Sequence, residues 1–218
     1  EDMEYLRNSL IPSLLQVVDN NKSREVIRIF ELANTYHKKS KNLPDEKLIL
    51  AGVLKRPNAS FFEAKGLLEG IFEDLGIKNY KFKNRSDGAG ANVLLLKDEI
   101  GYIEVLNNNL IDFEIDFDLI LNYATLKKSY KPLAKFPPVF EDITFVLDEG
   151  VLTEEVREEI SLQSFLIREV TLKDTFENAR TFHIEFRLED RNLKTSEVAE
   201  IREQIIAAVK DKFKASVK

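Results

Sequence analysis

The prolines Pro132, Pro137 and Pro138 limit this chain more than any other feature of its sequence. With the run Lys127-Lys128-Ser129-Tyr130-Lys131 they interrupt the middle of its 218 residues. A proline fixes its own φ, has no N–H to donate and drives the residue before it into extended conformations. Neither a helix nor a central strand therefore runs through such a segment. The chain is expected to divide near residue 128, into a domain of residues 1–128 and a second of residues 129–218. Its length allows two ordinary domains. With 44% hydrophobic and 32% charged residues it can bury a core. No internal repeat or low-complexity tract is visible.

The first half mixes two periodicities. Pro12 suits the start of a helix, and Leu14, Leu15 and Val18 follow it at helical spacing. Residues 25–36 alternate and are rich in β-branched and aromatic side chains, and 48–54 is a short apolar run; both predict strands. Phe61 to Leu75 predicts an amphipathic helix. Phe61, Ala64, Leu67, Leu68, Ile71, Phe72 and Leu75 share one face, and Gly76 is a suitable stop. Residues 91–96, 100–105 and 113–117 are further strand candidates.

The second half reads more cleanly. Ile143, Phe145 and Leu147 alternate as a half-buried strand. Thr153 is expected to cap a helix whose first turn carries Glu154 and Glu155, favourable at the positive end of the helix dipole. Residues 167–172 predict a second strand, and Phe182, Ile184 and Phe186 a third, with Thr181, His183, Glu185 and Arg187 on its opposite face. Thr195 opens a helix striped by Val198, Ile201, Ile205, Val209 and Phe213, and 215–217 fits a short last strand. The order β-α-β-β-α-β is the ferredoxin-like arrangement. Two helices cover only one face of such a sheet, so the other stays available for a ligand.

Composition excludes several classes of chemistry. A net charge of −6 argues against a general polyanion binder, although a local patch can hold RNA while the rest of the surface stays acidic. The absence of cysteine removes disulfides, thiolate zinc sites and cysteine nucleophiles, and suits a reducing compartment. There is no signal-peptide pattern and no apolar run of about 18 residues, so a soluble, cytoplasmic protein without a membrane role is expected. The first residue is Glu1, so the chain is expected to be a piece of a longer one. His37 and His183 fall in different halves without metal-ligand spacing. Gly88-Ala89-Gly90 lacks the third glycine of a dinucleotide fingerprint and reads as a turn. Glu154, Glu155, Glu158 and Glu159 read as a solvated helix face. No catalytic or metal-binding constellation is predicted.

Four stretches carry a family resemblance. The first is Leu6-Arg7-Asn8-Ser9-Leu10-Ile11-Pro12-Ser13-Leu14-Leu15, leading to Asn20 and Asn21. Ile29-Phe30-Glu31-Leu32-Ala33 with Thr35-Tyr36 comes next, then Phe61-Phe62-Glu63-Ala64-Lys65-Gly66. The last comprises Phe136-Pro137-Pro138-Val139-Phe140-Glu141-Asp142-Ile143 and Val170-Thr171-Leu172-Lys173-Asp174-Thr175-Phe176. In order and spacing these resemble the beta chain of bacterial-type phenylalanyl-tRNA synthetase, over nearly the whole sequence. There are departures: Glu141 stands where the family usually has a basic residue, Ala33 where it often has glycine, and no Gly-x-x-His-Pro turn is recognisable at 107–110.

The resemblance implies an α+β chain. Residues 1–128 would be a class II synthetase-like antiparallel sheet domain without the catalytic motifs, since no Gly-x-Gly-x-x-Arg segment is present. Residues 129–218 would be a ferredoxin-fold anticodon-binding domain. It implies a non-catalytic part of phenylalanine–tRNA ligase whose partners are the alpha subunit, in a two-alpha, two-beta assembly, and tRNA(Phe). ATP and magnesium would sit on the alpha subunit, with no cofactor in this chain. The helices around Leu10 to Val18 and Phe61 to Leu75 are the expected alpha-subunit contacts.

For RNA, the hairpin between the second and third strands of the second half is the candidate. Loop bases are held by aromatic stacking and polar groups on base edges, with cations on phosphate. Phe176 offers a ring, Asp174 an acceptor for a guanine edge, Thr181 a hydroxyl, and Lys173 and Arg180 the cations. Asp174 and Phe176 match the family's Asp-x-Tyr, and Thr181 stands where it has serine. The plainer alternative makes Phe176 a core plug and Asp174 a turn cap. Two rival functions remain at this point. One is a ferredoxin-like amino-acid-sensing module, disfavoured by the single glycine and two acids of Asp148-Glu149-Gly150-Val151. The other is a pure protein-assembly module.

Overall fold

Alternation of apolar side chains builds two antiparallel sheets, one in each of two compact units, Glu1–Ser129 and Tyr130–Lys218. The computed structural model describes residues 5–39, 43–86, 88–125, 127 and 134–218. The expected break at Lys128 to Pro132 lies outside the described residues.

The first unit opens with helix α1 (Ile11–Asn20), then strands β1 (Ile27–His37) and β2 (Asp45–Lys55), helix α2 (Phe61–Asp74), strands β3 (Tyr80–Asn84), β4 (Gly90–Leu95), β5 (Asp98–Asn107) and β6 (Leu110–Asp116), and helix α3 (Phe117–Tyr123). The strand order is β1-β2-β6-β5-β4-β3. Period-2 patterning divides β2 between two cores. Ile49, Ala51 and Val53 face α1 with Leu10, Leu14 and Val18, while Leu50 and Leu54 face α2 with Leu68, Phe72, Ile103 and Phe113. Gly52 lies beneath Phe113, whose ring a Cβ would meet at 2.4 Å. β3 and α3 go beyond the elements read from sequence. β3 is short, with Tyr80 and Phe82 alternating with lysines. α3 begins where Asp116 ends the strand and caps the helix, its carboxylate accepting the Leu119 N–H at 3.1 Å.

The second unit runs β7 (Val139–Val146), α4 (Thr153–Leu162), β8 (Ile167–Phe176), β9 (Ala179–Phe186), α5 (Thr195–Phe213) and β10 (Ser216–Val217), with strand order β10-β7-β9-β8. This is the ferredoxin-like βαββαβ arrangement, every pairing antiparallel. One sheet face, with Ile143, Phe145, Phe182, Ile184 and Phe186, packs on Val156 and Ile160 of α4 and Val198, Ile201, Ile205 and Val209 of α5. Thr153 and Thr195 prove to be the first helical residues rather than caps, and neither helix has a side-chain cap from them. At α5 the work falls to Glu197, whose carboxylate accepts the Lys194 N–H at 2.9 Å and both terminal nitrogens of Arg191. Leu147 lies just past β7 but is still buried.

Candidate nucleic-acid interface

Because α4 and α5 take one side of the small sheet, the alternate side chains of β7 and β9 are turned to the other. Cross-strand partners share a face, so the register defines rows across it. Val146, Ala179 and Phe176 form one row, Thr144, Thr181 and Asp174 the next, and Asp142, His183 and Thr171 a third. β8 is the sheet's edge and carries a bulge: Leu172 pairs with Phe182 and Asp174 with Thr181, leaving Lys173 as an extra residue. Lys173 Nζ reaches across to pair with Asp142 on the open face. The bulge carries β8 on to Phe176, beyond the expected end at Leu172.

Phe176 ends β8, just before the tight turn of Glu177 and Asn178, where Glu177 adopts a positive φ of 53°. Asn178 accepts the Leu147 N–H at 2.9 Å, which ties the turn to the end of β7. The Phe176 side chain is 67% exposed and stands outside the apolar core of this unit. It lines a shallow hollow with Val146, Ala179 and Ser216. Asp174 is exposed, with one carboxylate oxygen accepting the N–H of Thr175 at 2.8 Å. The Thr181 hydroxyl shares a hydrogen bond of 2.9 Å with that of Thr144. Arg180 is turned the other way. It pairs with buried Phe145, and its Nη1 donates to the carbonyl of Val151 at 2.6 Å, on the helix side of the sheet. The structure therefore brings Lys173, Asp174, Phe176 and Thr181 together on one face and leaves Arg180 out, because an odd step along a strand reverses the side chain.

The same face holds a second group around His183, whose place on the open side was predicted but whose partner Phe140 was not. The Phe140 ring stacks on that of His183 with centroids 4.9 Å apart and planes 19° from parallel, and Phe140 is 53% exposed. His183 Nδ1 lies 2.6 Å from Asp142 Oδ1, while the other carboxylate oxygen engages Lys173. Lys173 first and His183 second hold the Asp142 carboxyl below the usual carboxylate range. A signal for Phe140 was present. It is a large aromatic on the even phase of a strand whose core residues, Ile143 and Phe145, are odd.

In the first unit the notable polar group is buried Asp112, whose Oδ1 has no hydrogen-bond partner among the described residues. Burial first, then Glu104 and Glu114, push its carboxyl up to about 7, against the opposing pull of Arg85. Glu114 itself has a structural task, accepting the Leu10 N–H at 3.0 Å and the Ser9 hydroxyl at 2.8 Å where α1 begins. Among the described residues no group of three or more His, Asp or Glu side chains is placed to hold a metal ion. No described helix is long and apolar enough to cross a membrane.

A family model described as "Phenylalanyl tRNA synthetase beta chain CLM domain" matches residues 1–120, and one described as "Ferredoxin-fold anticodon binding domain" matches residues 134–218. Similar curated proteins include the phenylalanine–tRNA ligase beta subunits of Geobacillus kaustophilus, 29% identical over 99% of this chain, and Carboxydothermus hydrogenoformans, 25% identical over all of it. The chain spans 32% of the length of each. A solved pyrrolysyl-tRNA synthetase of Desulfitobacterium hafniense, 14% identical, covers 53% of this chain and 48% of its own at a TM-score of 0.45, too weak a likeness to bear on function. Both units are thus accounted for, and the chain belongs to the phenylalanyl-tRNA synthetase beta chain family.

Proposed function

We propose that the chain is the non-catalytic C-terminal part of a phenylalanine–tRNA ligase beta subunit. Residues 1–128 serve as a class II synthetase-like domain that assembles with the alpha subunit, and residues 129–218 bind the anticodon of tRNA(Phe) in the cytoplasm. The observation that carries this reading is the exposed Phe176 ring beside Asp174 and Thr181 on the sheet face opposite α4 and α5. A base stacks on Phe176, because a flat apolar ring accepts any π-face and excludes water from it. Asp174, as an acceptor, suits the N–H donors on a guanine edge, and Thr181 can either give or take a hydrogen bond. Lys173 supplies positive charge for phosphate. Arg180 acts from the other side of the sheet, bracing the loop before α4 through Val151. ATP and magnesium belong, in this reading, to the alpha subunit.

The experiment is a titration of the chain with tRNA(Phe) and, separately, with free phenylalanine, at several salt concentrations. Saturable tRNA binding that weakens with salt, with no response to phenylalanine, is the expected result. Saturation by phenylalanine without tRNA would favour an amino-acid-sensing module, and binding of neither a pure assembly role.

A further inference from the structure

We infer that the Phe140–His183 stack is a second base-binding position, taking a different anticodon nucleotide from the one on Phe176. The inference rests on the reading of this face as the anticodon interface. Phe140 is half exposed with its ring already stacked on an imidazole, so a base added there extends an existing stack. The imidazole is held at its edge. Asp142 fixes Nδ1 at 2.6 Å, and Lys173 holds Asp142 from the other side. A pre-ordered platform loses little side-chain entropy when a ligand arrives. The position is distinct from the first. His183 lies four residues along β9 from Ala179, the partner of Phe176, which at the antiparallel rise is roughly 14 Å. Neighbouring stacked bases are about 3.4 Å apart, so one base cannot touch both sites. Lys173 lies between the two, paired to the row of His183 while its neighbour Asp174 belongs to the row of Thr181. Its charge, already paired with Asp142, lies beside His183.

The test uses the full chain and anticodon stem-loops of tRNA(Phe) carrying the fluorescent base 2-aminopurine at each anticodon position in turn. Phe140→Leu keeps an apolar cover on the strand and removes the ring. It should weaken binding roughly tenfold, in line with the loss of one stacked base, and abolish quenching at one position. Phe176→Ala should abolish quenching at a different position. Phe140→Tyr keeps the ring and should retain wild-type affinity; loss in that variant as well would overturn stacking. If Phe140→Leu does not fold, His183→Leu removes the lower ring and must give the same loss. Wild-type binding and quenching by a folded Phe140→Leu, with Phe176→Ala impaired, overturns the second position and leaves the first standing. Wild-type behaviour of both variants overturns both.

Discussion

Phe176 stands two-thirds exposed at the tip of a tight turn, so its removal tests recognition and not core packing. Phe176→Ala should weaken tRNA(Phe) binding by roughly 1–3 kcal/mol, about an order of magnitude in Kd, with an unchanged thermal midpoint. Phe176→Tyr keeps the ring and gains a hydroxyl, so binding should be restored or improved. Normal binding by the alanine variant would remove Phe176 from the interface. A second residue carries a pH prediction. Buried Asp112 has its carboxyl near 7, above the ordinary 3.8, so the folded state holds the proton more tightly than the unfolded chain. The stability it lends is complete below the ordinary value and is lost as pH rises through about 7. Asp112→Asn cannot ionise. It should therefore raise the unfolding free energy at about pH 8 by on the order of 2–4 kcal/mol, with a higher urea midpoint, and raise it clearly less near pH 5, where only the first part of the window between 3.8 and about 7 has been crossed. Equal effects at both pH values would show that the charge is not responsible. Phe176, Asp174 and Thr181 were nominated together because the resemblance aligned them, and the register puts them on one face. Arg180 was misread as their companion because sequence proximity in a hairpin does not reveal which face a side chain takes. That depends on the register and on the bulge at Lys173, set by tertiary pairing.

At the scale of elements, what was legible followed from periodicity long enough to average out exceptions. The stripes of α2 and α5 predict their elements closely. The alternation of β7 and β9 finds both strands but misses their first residues, Val139 to Asp142 and Ala179 to Arg180. β3 escaped because five residues at a sheet edge, half of them lysine-flanked, give a weak signal. α3 escaped because its apolar residues continue those of β6, and only the Asp116 cap marks the change. Glycines distinguish the elements by experiment. Gly101 in β5 has a φ of +155°, and a Cβ there would sit 2.1 Å from the Glu114 carbonyl oxygen of neighbouring β6. Gly66 in α2 has nothing within 4 Å of the same position. Gly101→Ala should therefore destabilise the first unit by about 1–3 kcal/mol, whereas Gly66→Ala should stabilise it by roughly 0.5–1 kcal/mol through helix propensity. Urea midpoints of the two variants should move in opposite directions. A shared direction would mean that backbone geometry in β5 is not what requires the glycine.

For the whole molecule, the sequence nominated the helices around Leu10 to Val18 and Phe61 to Leu75 as the alpha-subunit contacts. Folding uses one side of each internally. Leu10, Ile11, Leu14 and Val18 are buried against β1 and β2, and Ala64, Leu68 and Phe72 are fully buried beneath α2. Apolar surface left exposed includes residues of α2 itself, among them Leu67, which the stripe had placed on the buried face. Phe30 and Leu32 project from the edge strand β1, and Phe62 and Leu67 from the outer side of α2. Arg28, on the same side of β1 as Phe30, binds Glu63 of α2 at 2.6 Å, so strand and helix contribute to one surface. Large exposed apolar side chains on these two elements are candidates for burial by a partner. Mixing with the alpha subunit should therefore give a complex of higher mass by light scattering, and Phe30→Asp with Phe62→Asp should weaken it. Because both rings are 75% exposed in the chain itself, the double variant should keep wild-type circular dichroism. The chain alone should show no phenylalanine-dependent ATP–pyrophosphate exchange, and exchange should appear only in mixtures containing the alpha subunit. Exchange by a preparation free of that subunit would end the non-catalytic reading. A complex that forms equally well with the double variant would move the contact off β1 and α2.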